Sequence, residues 1–160
     1  MAFTVQKLLC IQRRRVTLDV EYHDCERTPP KGGTMDPPAR IVIVEDESIT
    51  ALHLAKRLRS LGYQVVALAS NGPRAIEHAL ARRPHVVLMD IHLQGTMDGI
   101  DAARHIQAAA PIPVVYMSAH ADAATIERLQ ATTQAAGFVP KPIHLPTLYA
   151  TLQRVCSRTA

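Results

Sequence analysis

From Arg40 onward, the chain alternates between two patterns of hydrophobic residues. Five short stretches are apolar at consecutive positions, and such stretches predict strands that are buried on both faces. These stretches are residues 41–44, 65–68, 86–89, 114–117 and 138–140. The segments that follow them repeat apolar residues at helical spacing, as at Leu54, Leu58 and Leu61. Five successive strand–helix units predict an α/β fold, in which a doubly wound, five-stranded parallel sheet lies between five helices.

Residues that typically begin or end helices stand at the boundaries of these units. Gly62 is well placed to end the first helix, and Asn71 followed by Pro73 is typical of the start of the second. Asp98 precedes the third helix, and Asp122 can cap the fourth. The capping residues and the hydrophobic pattern therefore predict the same helices.

The first 39 residues differ in character from the rest of the chain. Residues 28–33 and 36–38 contain prolines and glycines, which interrupt helices and central strands. We therefore expect residues 1–39 to form a flexible extension. Two alternatives stay open: the extension is mis-annotated because translation begins at Met35, or it forms a short β-hairpin used for docking.

The composition restricts the classes of protein to which the chain can belong. Of its 160 residues, 48% are hydrophobic and 20% are charged, which is ordinary for a globular protein with its own core. The formal net charge of +4 includes no concentrated basic face, so we expect no direct DNA binding. No apolar stretch approaches the roughly 18–20 residues of a membrane span. Three widely spaced cysteines favour a reduced, cytoplasmic location over a disulfide framework.

Polar side chains follow four of the five predicted strands. Glu45 and Asp46 come directly after the first, Asp90 ends the third, Ser118 ends the fourth, and Lys141 follows the fifth. Because the carboxyl ends of parallel strands meet at one edge of the sheet, we expect these side chains to lie together. Acids gathered there repel one another unless a hard cation holds them, and oxygen ligands suit Mg²⁺. The sequence therefore predicts a magnesium-dependent phosphoryl site.

With these residues in place, the sequence resembles the receiver domain of two-component response regulators, in particular a stand-alone, CheY-like receiver. The resemblance covers residues 40–158 and implies a flavodoxin-like (βα)5 fold. It rests on five motifs in order: IVEDE at 43–47, LMDI at 88–91, MDGI at 97–100, MSA at 117–119 and FVPKP at 138–142. Each motif alone is weak evidence, whereas the five together are specific.

The resemblance implies a phosphoacceptor and a metal site. Asp90 corresponds to the aspartate that receives the phosphoryl group, since a carboxylate is a competent nucleophile toward phosphorus. Glu45, Asp46 and Asp90, with the backbone carbonyl of His92, correspond to the ligands of Mg²⁺. Many members carry aspartate where this chain has Glu45, so we expect its longer side chain to reach the ion through a different arrangement of water.

The resemblance also implies a lysine and two switch residues. Lys141 would place its ammonium group against the incoming phosphoryl group, and the Lys141–Pro142 bond is expected to be cis. Ser118 corresponds to the hydroxyl residue that moves to bind the phosphoryl oxygen. Phe138 takes the position of the aromatic switch residue, although an ordinary core residue is an open alternative. The loop after Asp90 departs from the commonest pattern, with one extra residue and without the usual proline. Because His92 lies two residues beyond the phosphoacceptor, we expect it to control access of the hydrolytic water.

The function implied by the resemblance is that of a phosphoacceptor switch. A sensor histidine kinase or a phosphotransfer protein would donate the phosphoryl group, and the protein would catalyse its own phosphorylation and dephosphorylation without being an enzyme in the usual sense. Output would pass through protein–protein contact, by a monomer or a phosphorylation-dependent dimer. Alternatives are a receiver fragment of a larger regulator or hybrid kinase, and an aspartyl-phosphate hydrolase, which would require a second acid at the position of His92. A nucleotide carrier fits poorly, because residues 45–47 would repel phosphate.

Overall fold

The computed structural model describes residues 38–119 and 122–157, and the predictions for residues 1–37 lie outside that part of the chain. The described residues form five strands and five helices in strict alternation. The strands are β1 (Arg40–Val44), β2 (Gln64–Ala69), β3 (Val86–Asp90), β4 (Val114–Ser118) and β5 (Ala135–Pro140). The helices are α1 (Ser48–Ser60), α2 (Gly72–Arg82), α3 (Gly99–Ala109), α4 (Ala123–Thr132) and α5 (Leu145–Cys156).

All strand pairs are parallel, and the strand order is β2-β1-β3-β4-β5. This arrangement confirms the predicted doubly wound, flavodoxin-like (βα)5 fold. The central strands β3 and β4 are buried along their whole length, and β1 is buried after its first residue. The edge strands β2 and β5 are partly exposed. Consecutive apolar residues therefore predicted burial on both faces correctly for the central strands.

The predicted helix boundaries agree with the capping geometry. The side chains of Asn71, Asp98 and Asp122 each accept a hydrogen bond from the backbone N–H three residues later, at 2.7–3.0 Å. Gly62 follows α1 with a φ of +89°, a left-handed conformation that favours glycine. The local sequence was sufficient to predict these helix boundaries, because a cap involves only residues that are close together along the chain.

Two hydrophobic cores lie on opposite faces of the sheet. One lies between the sheet and α1 and α5, where Leu58, Leu148 and Leu152 are fully buried. The other lies between the sheet and α2, α3 and α4, and it includes Ile100, Ile106 and Tyr116. None of the helices in the described residues is both long and apolar enough to cross a membrane.

Gly99, the first residue of α3, allows the helix to approach the end of β3. Its backbone N–H donates a hydrogen bond of 3.0 Å to the carbonyl of Ile91. A Cβ atom at this position would lie only 1.9 Å from the carbonyl oxygen of Asp90, far inside the contact distance. The glycine is therefore required by the close packing of the two backbones.

Replacing Gly99 by alanine is expected to lower the free energy of unfolding by about 3 kcal/mol, because α3 must move away from β3. Urea denaturation followed by circular dichroism would measure the loss. Gly62→Ala is the matched control: its backbone conformation is also unfavourable for alanine, but no atom lies within 4 Å of the new Cβ. We expect it to cost about 1 kcal/mol. Equal losses in the two variants would contradict the steric argument.

Candidate functional site

Three carboxylates meet at the carboxyl end of the sheet. Glu45 follows β1 and is 3% exposed, Asp90 ends β3 and is 4% exposed, and Asp46 is partly buried. One oxygen from each lies within 4.8 Å of the others. Strands β1 and β3 are adjacent and pair Val44 with Met89, so their next residues emerge side by side. The predicted gathering of acids is thus a direct result of parallel register.

Lys141 brings a positive charge into this cluster from the turn after β5. Its Nζ atom lies 2.7 Å from Oε2 of Glu45 and 2.6 Å from Oδ2 of Asp90. The backbone N–H of Lys141 donates to the carbonyl of Ser118 at 2.8 Å, which ties the turn to the end of β4. The Lys141–Pro142 bond is cis, as the resemblance led us to expect.

The two oxygens of Asp90 have different partners. Oδ2 accepts from Lys141, whereas Oδ1 accepts a 3.0 Å hydrogen bond from the backbone N–H of His92. The imidazole of His92 is exposed to solvent. The sequence had directed attention to the His92 carbonyl and side chain, but this contact uses the backbone N–H, for which no residue type is diagnostic. Together the two contacts fix the orientation of the carboxylate.

Burial and charge affect the acid and the lysine in different ways. Burial raises the pKa of Glu45, and the negative charge of Asp90 acts in the same direction, although the hydrogen bond from Lys141 opposes it. Burial alone would lower the pKa of Lys141, but its hydrogen bonds to Asp90 and Glu45 and the negative charges of these two groups together outweigh burial and raise it. The lysine therefore stays protonated well above neutral pH, and its ammonium group is shared by two carboxylates.

The two predicted switch residues lie on neighbouring strands. Ser118 ends β4 beside the acid cluster and is 1% exposed. Phe138 lies in β5, where it is paired with Tyr116 of β4, and it is 39% exposed. The open alternative of an ordinary core residue therefore does not describe Phe138 in this structure. Ser118 lies at the site, whereas Phe138 faces outward at the edge of the sheet.

One set of contacts near the site had no counterpart in the sequence analysis. Arg128 of α4 is paired with Asp98 and Asp101 at the start of α3. Asp98 was predicted to precede the third helix, but its partner lies 30 residues further along the chain. A local pattern carries no signal for such a contact, because it depends on how two helices are placed on the sheet.

Comparison with known proteins places these features in one family. The family model described as response regulator receiver domain matches residues 41–153. The chain is 33% identical over 121 residues to the transcriptional regulatory protein PdtaR of Mycobacterium tuberculosis, an alignment that covers 76% of this chain and 58% of the relative. It is 36% identical to the transcriptional regulatory protein ZraR of Escherichia coli O157:H7, over 74% of this chain and 26% of that protein. The chain therefore spans little more than half of the first relative and a smaller share of the second.

Solved structures agree with the sequence relatives. The signal receiver domain of a modulated diguanylate cyclase from Desulfovibrio desulfuricans has a TM-score of 0.71 and 30% identity, over 76% of this chain and 96% of that one. The response regulator domain of Thermotoga maritima CheB has a TM-score of 0.66 and 28% identity, over 75% and 97% of the two chains. Given the family match, the strand order and the acid cluster, the chain belongs to the response regulator receiver domains of two-component signalling.

Proposed function

We propose that this protein is a phosphoacceptor switch in which Asp90 receives a phosphoryl group from the phosphohistidine of a sensor kinase or phosphotransfer protein. The geometry of Asp90 carries the proposal: its carboxylate is held by Lys141 on one oxygen and by the His92 N–H on the other. A carboxylate oriented in this way is ready for attack on phosphorus.

The donor set at the site suits Mg²⁺. The carboxylates of Glu45, Asp46 and Asp90 offer only oxygen, their ligand atoms lie within 4.8 Å of one another, and hard divalent cations prefer such ligands. We propose that these residues, with the backbone carbonyl of His92, hold the ion. When bound, Mg²⁺ would supply positive charge that offsets the charge of the carboxylates and of the phosphoryl oxygens.

The residues of the chain account for the rest of the reaction. A carboxylate oxygen of Asp90 forms a bond to phosphorus as the phosphorus–nitrogen bond of the donor histidine breaks, and the imidazole leaves with the bonding electron pair. The transition state is loose and its charge lies on the phosphoryl oxygens, so positioning and charge supply most of the rate. Lys141, which reaches Asp90 at 2.6 Å, is placed to neutralise that charge. Water later hydrolyses the acyl phosphate and resets the site.

The output of the switch is proposed to run through Ser118 and Phe138. Ser118 would bind the phosphoryl oxygen with its hydroxyl, and Phe138, now exposed, would change its packing in response. Phenylalanine has no hydroxyl, so no hydrogen bond of its side chain opposes the change. The face formed by α4, β5 and α5 would then exchange protein partners, in a monomer or in a phosphorylation-dependent dimer. We propose a cytoplasmic location for this exchange and no direct contact with DNA by this domain.

A second candidate is a receiver that serves a larger regulator or hybrid kinase. The observation that favours it is the length of the relatives, since the chain spans 58% of the M. tuberculosis protein. Measuring the native size of the protein in its cells of origin would decide between this candidate and a stand-alone switch. The hydrolase alternative has less support, because the residue two positions beyond Asp90 is an exposed histidine rather than an acid.

Incubation with acetyl phosphate and MgCl₂ is expected to add one phosphoryl group to the parent protein and none to Asp90→Asn, because the amide is a poor nucleophile. Intact-mass spectrometry would detect the adduct, and hydroxylamine should remove it, as expected for an acyl phosphate. A receiver domain that is known to accept phosphate serves as the positive control. Failure of the parent to label beside a working control, or equal labelling of the Asn variant, would refute Asp90 as the acceptor.

Lys141→Met is expected to destabilise the protein by about 2 kcal/mol in the absence of divalent cations, because Glu45 and Asp90 lose the ammonium group between them. MgCl₂ should restore part of this loss, since a ligand of the folded state stabilises it. It should raise the melting temperature of the variant more than that of the parent, because in the variant no ammonium group neutralises the carboxylates. Thermal unfolding with and without MgCl₂ would measure both effects.

Lys56→Met, which removes an exposed lysine from α1, is the control for the change in net charge and should behave like the parent. The charge argument fails if the two lysine variants lose the same stability, or if MgCl₂ stabilises neither the parent nor Lys141→Met.

His92→Ala is expected to change the lifetime of the acyl phosphate at Asp90 by about twofold or more while leaving its formation intact. The backbone N–H of His92 contacts Asp90 at 3.0 Å, so alanine preserves this contact and removes only the exposed imidazole. We propose that this imidazole limits access of the attacking water. Timed loss of the adduct by mass spectrometry would give the half-life. A half-life equal to that of the parent would rule out control of water access by His92.

A further inference from the structure

Helix α4 makes little apolar contact with the sheet. In the described part of the chain it supplies one side chain to the hydrophobic core, Leu129, whereas α3 supplies Ile100, Ala102, Ala103 and Ile106. Ile126 of α4 is 40% exposed. A helix with so little buried apolar area obtains little stability from packing, so other contacts must contribute to holding it in place.

Arg128 connects α4 to the start of α3. Its Nη1 atom is hydrogen-bonded to Oδ2 of Asp98, and its Nη2 atom lies 3.2 Å from Oδ1 of Asp98 and 2.9 Å from Oδ2 of Asp101. A guanidinium group that bridges two carboxylates with both terminal nitrogens has a defined geometry, unlike an ordinary surface ion pair. Burial would raise the pKa of Asp98, but the hydrogen bond and positive charge of Arg128, together with the backbone N–H groups of Asp101 and Ile100, outweigh burial and lower it.

The two carboxylates lie at the start of α3, whose backbone is in contact with the end of β3. Asp98 caps α3 through a 2.9 Å hydrogen bond from the N–H of Asp101. The next residue, Gly99, donates to the carbonyl of Ile91, which directly follows Asp90. The backbone of Gly99 is packed against that of Asp90 without room for a Cβ atom. Arg128 is therefore connected to the end of β3 through the side chains of Asp98 and Asp101 and the backbone of Gly99.

An open surface pocket of about 430 Å³ lies between α4 and the loop after Asp90. Ile91, Leu93 and Asp98 line it on the loop side, and Thr125 and Arg128 line it on the α4 side. Among the described residues at this place, the ion pairs of Arg128 connect the two elements, and Leu129 is the one core side chain that a shift of α4 would displace.

We propose that Arg128 is a positioning residue that holds α4 in its resting place and opposes the switched arrangement of the phosphorylated protein. This inference rests on the proposed function. The resting and switched arrangements of α4 are in equilibrium, and this equilibrium is linked to that between unphosphorylated and phosphorylated protein. If the bridge stabilises only the resting arrangement, it therefore shifts both equilibria by the same factor, toward the resting and unphosphorylated forms. Weakening the bridge would then loosen α4 before phosphorylation and favour the phosphorylated form afterwards.

Hydrogen exchange of the unphosphorylated full chain tests the restraint on α4 directly. In Arg128→Gln, the amides of residues 126–131 are expected to exchange roughly two- to fivefold faster than in the parent, the range that follows from the measured strength of exposed ion pairs. The amides of α5 serve as an internal reference and should not change. Arg128→Lys keeps the charge but loses the two-nitrogen geometry, so its exchange rates should lie between those of the parent and the glutamine variant.

Arg104→Gln is the matched control. It removes the same charge from an exposed arginine of α3 that lies 3.9 Å from Asp101 and that has no hydrogen bond or ion pair to α4 among the described residues. Its α4 amides should exchange as in the parent. Equal exchange in Arg128→Gln and Arg104→Gln would overturn the proposed restraint.

The link to phosphorylation is tested with acetyl phosphate and MgCl₂ on the same four proteins. The steady-state ratio of phosphorylated to free protein, which is set by the rates of formation and hydrolysis, should be up to about fivefold higher in Arg128→Gln than in Arg104→Gln. An equal ratio in the two variants would overturn the link. Failure of the parent itself to label would instead refute the proposed function, while the exchange rates would still decide whether Arg128 restrains α4.

Discussion

The contact between one ammonium group and two buried carboxylates is the constraint on which the site depends. Glu45 and Asp90 are almost fully covered by protein, and both face the Nζ atom of Lys141 at less than 3 Å. Burying two ionised acids in this way would strongly destabilise the folded protein without a positive partner. The lysine supplies that partner, and it comes from the far side of β4 through the turn after β5. The turn after β5 must therefore place the ammonium group of Lys141 beside these two acids.

The parallel sheet makes this arrangement possible. Its strands all end at the same edge, and the register of β1 with β3 and of β4 with β5 sets which residues emerge together. The apolar residues before the ends of β1, β3 and β4 bury these central strands on both faces. Gly99 then lets α3 approach Asp90 closely. Precise placement of a few polar groups on a rigid apolar scaffold is what phosphoryl transfer requires.

Helix α4 differs from this rigid frame. The central strands and α3 are held by many buried aliphatic residues, whereas α4 contributes Leu129 to the core and is bridged to α3 by Arg128. Phe138, at the neighbouring edge of the sheet, is also partly exposed. The domain therefore combines a chemical site that is firmly packed with an adjacent surface that is held by weaker contacts. Such a division is suited to a switch, since a small difference in free energy is enough to move the weaker part.

Much of this protein could be predicted from its sequence, for physical reasons that apply to particular residues. The apolar runs identified the strands because burial on both faces of a parallel sheet leaves no alternating pattern. Asn71, Asp98 and Asp122 marked the helix starts because a cap involves residues only three positions apart. The acids, Ser118 and Lys141 were expected together because parallel strands end at one edge.

Contacts that depend on the relative placement of distant elements were decided only by the tertiary structure: the bond from the His92 N–H to Asp90, the sharing of Lys141 between Glu45 and Asp90, and the bridge from Arg128 to α3. These contacts are set by packing distances between elements, and no local pattern of residues encodes such distances.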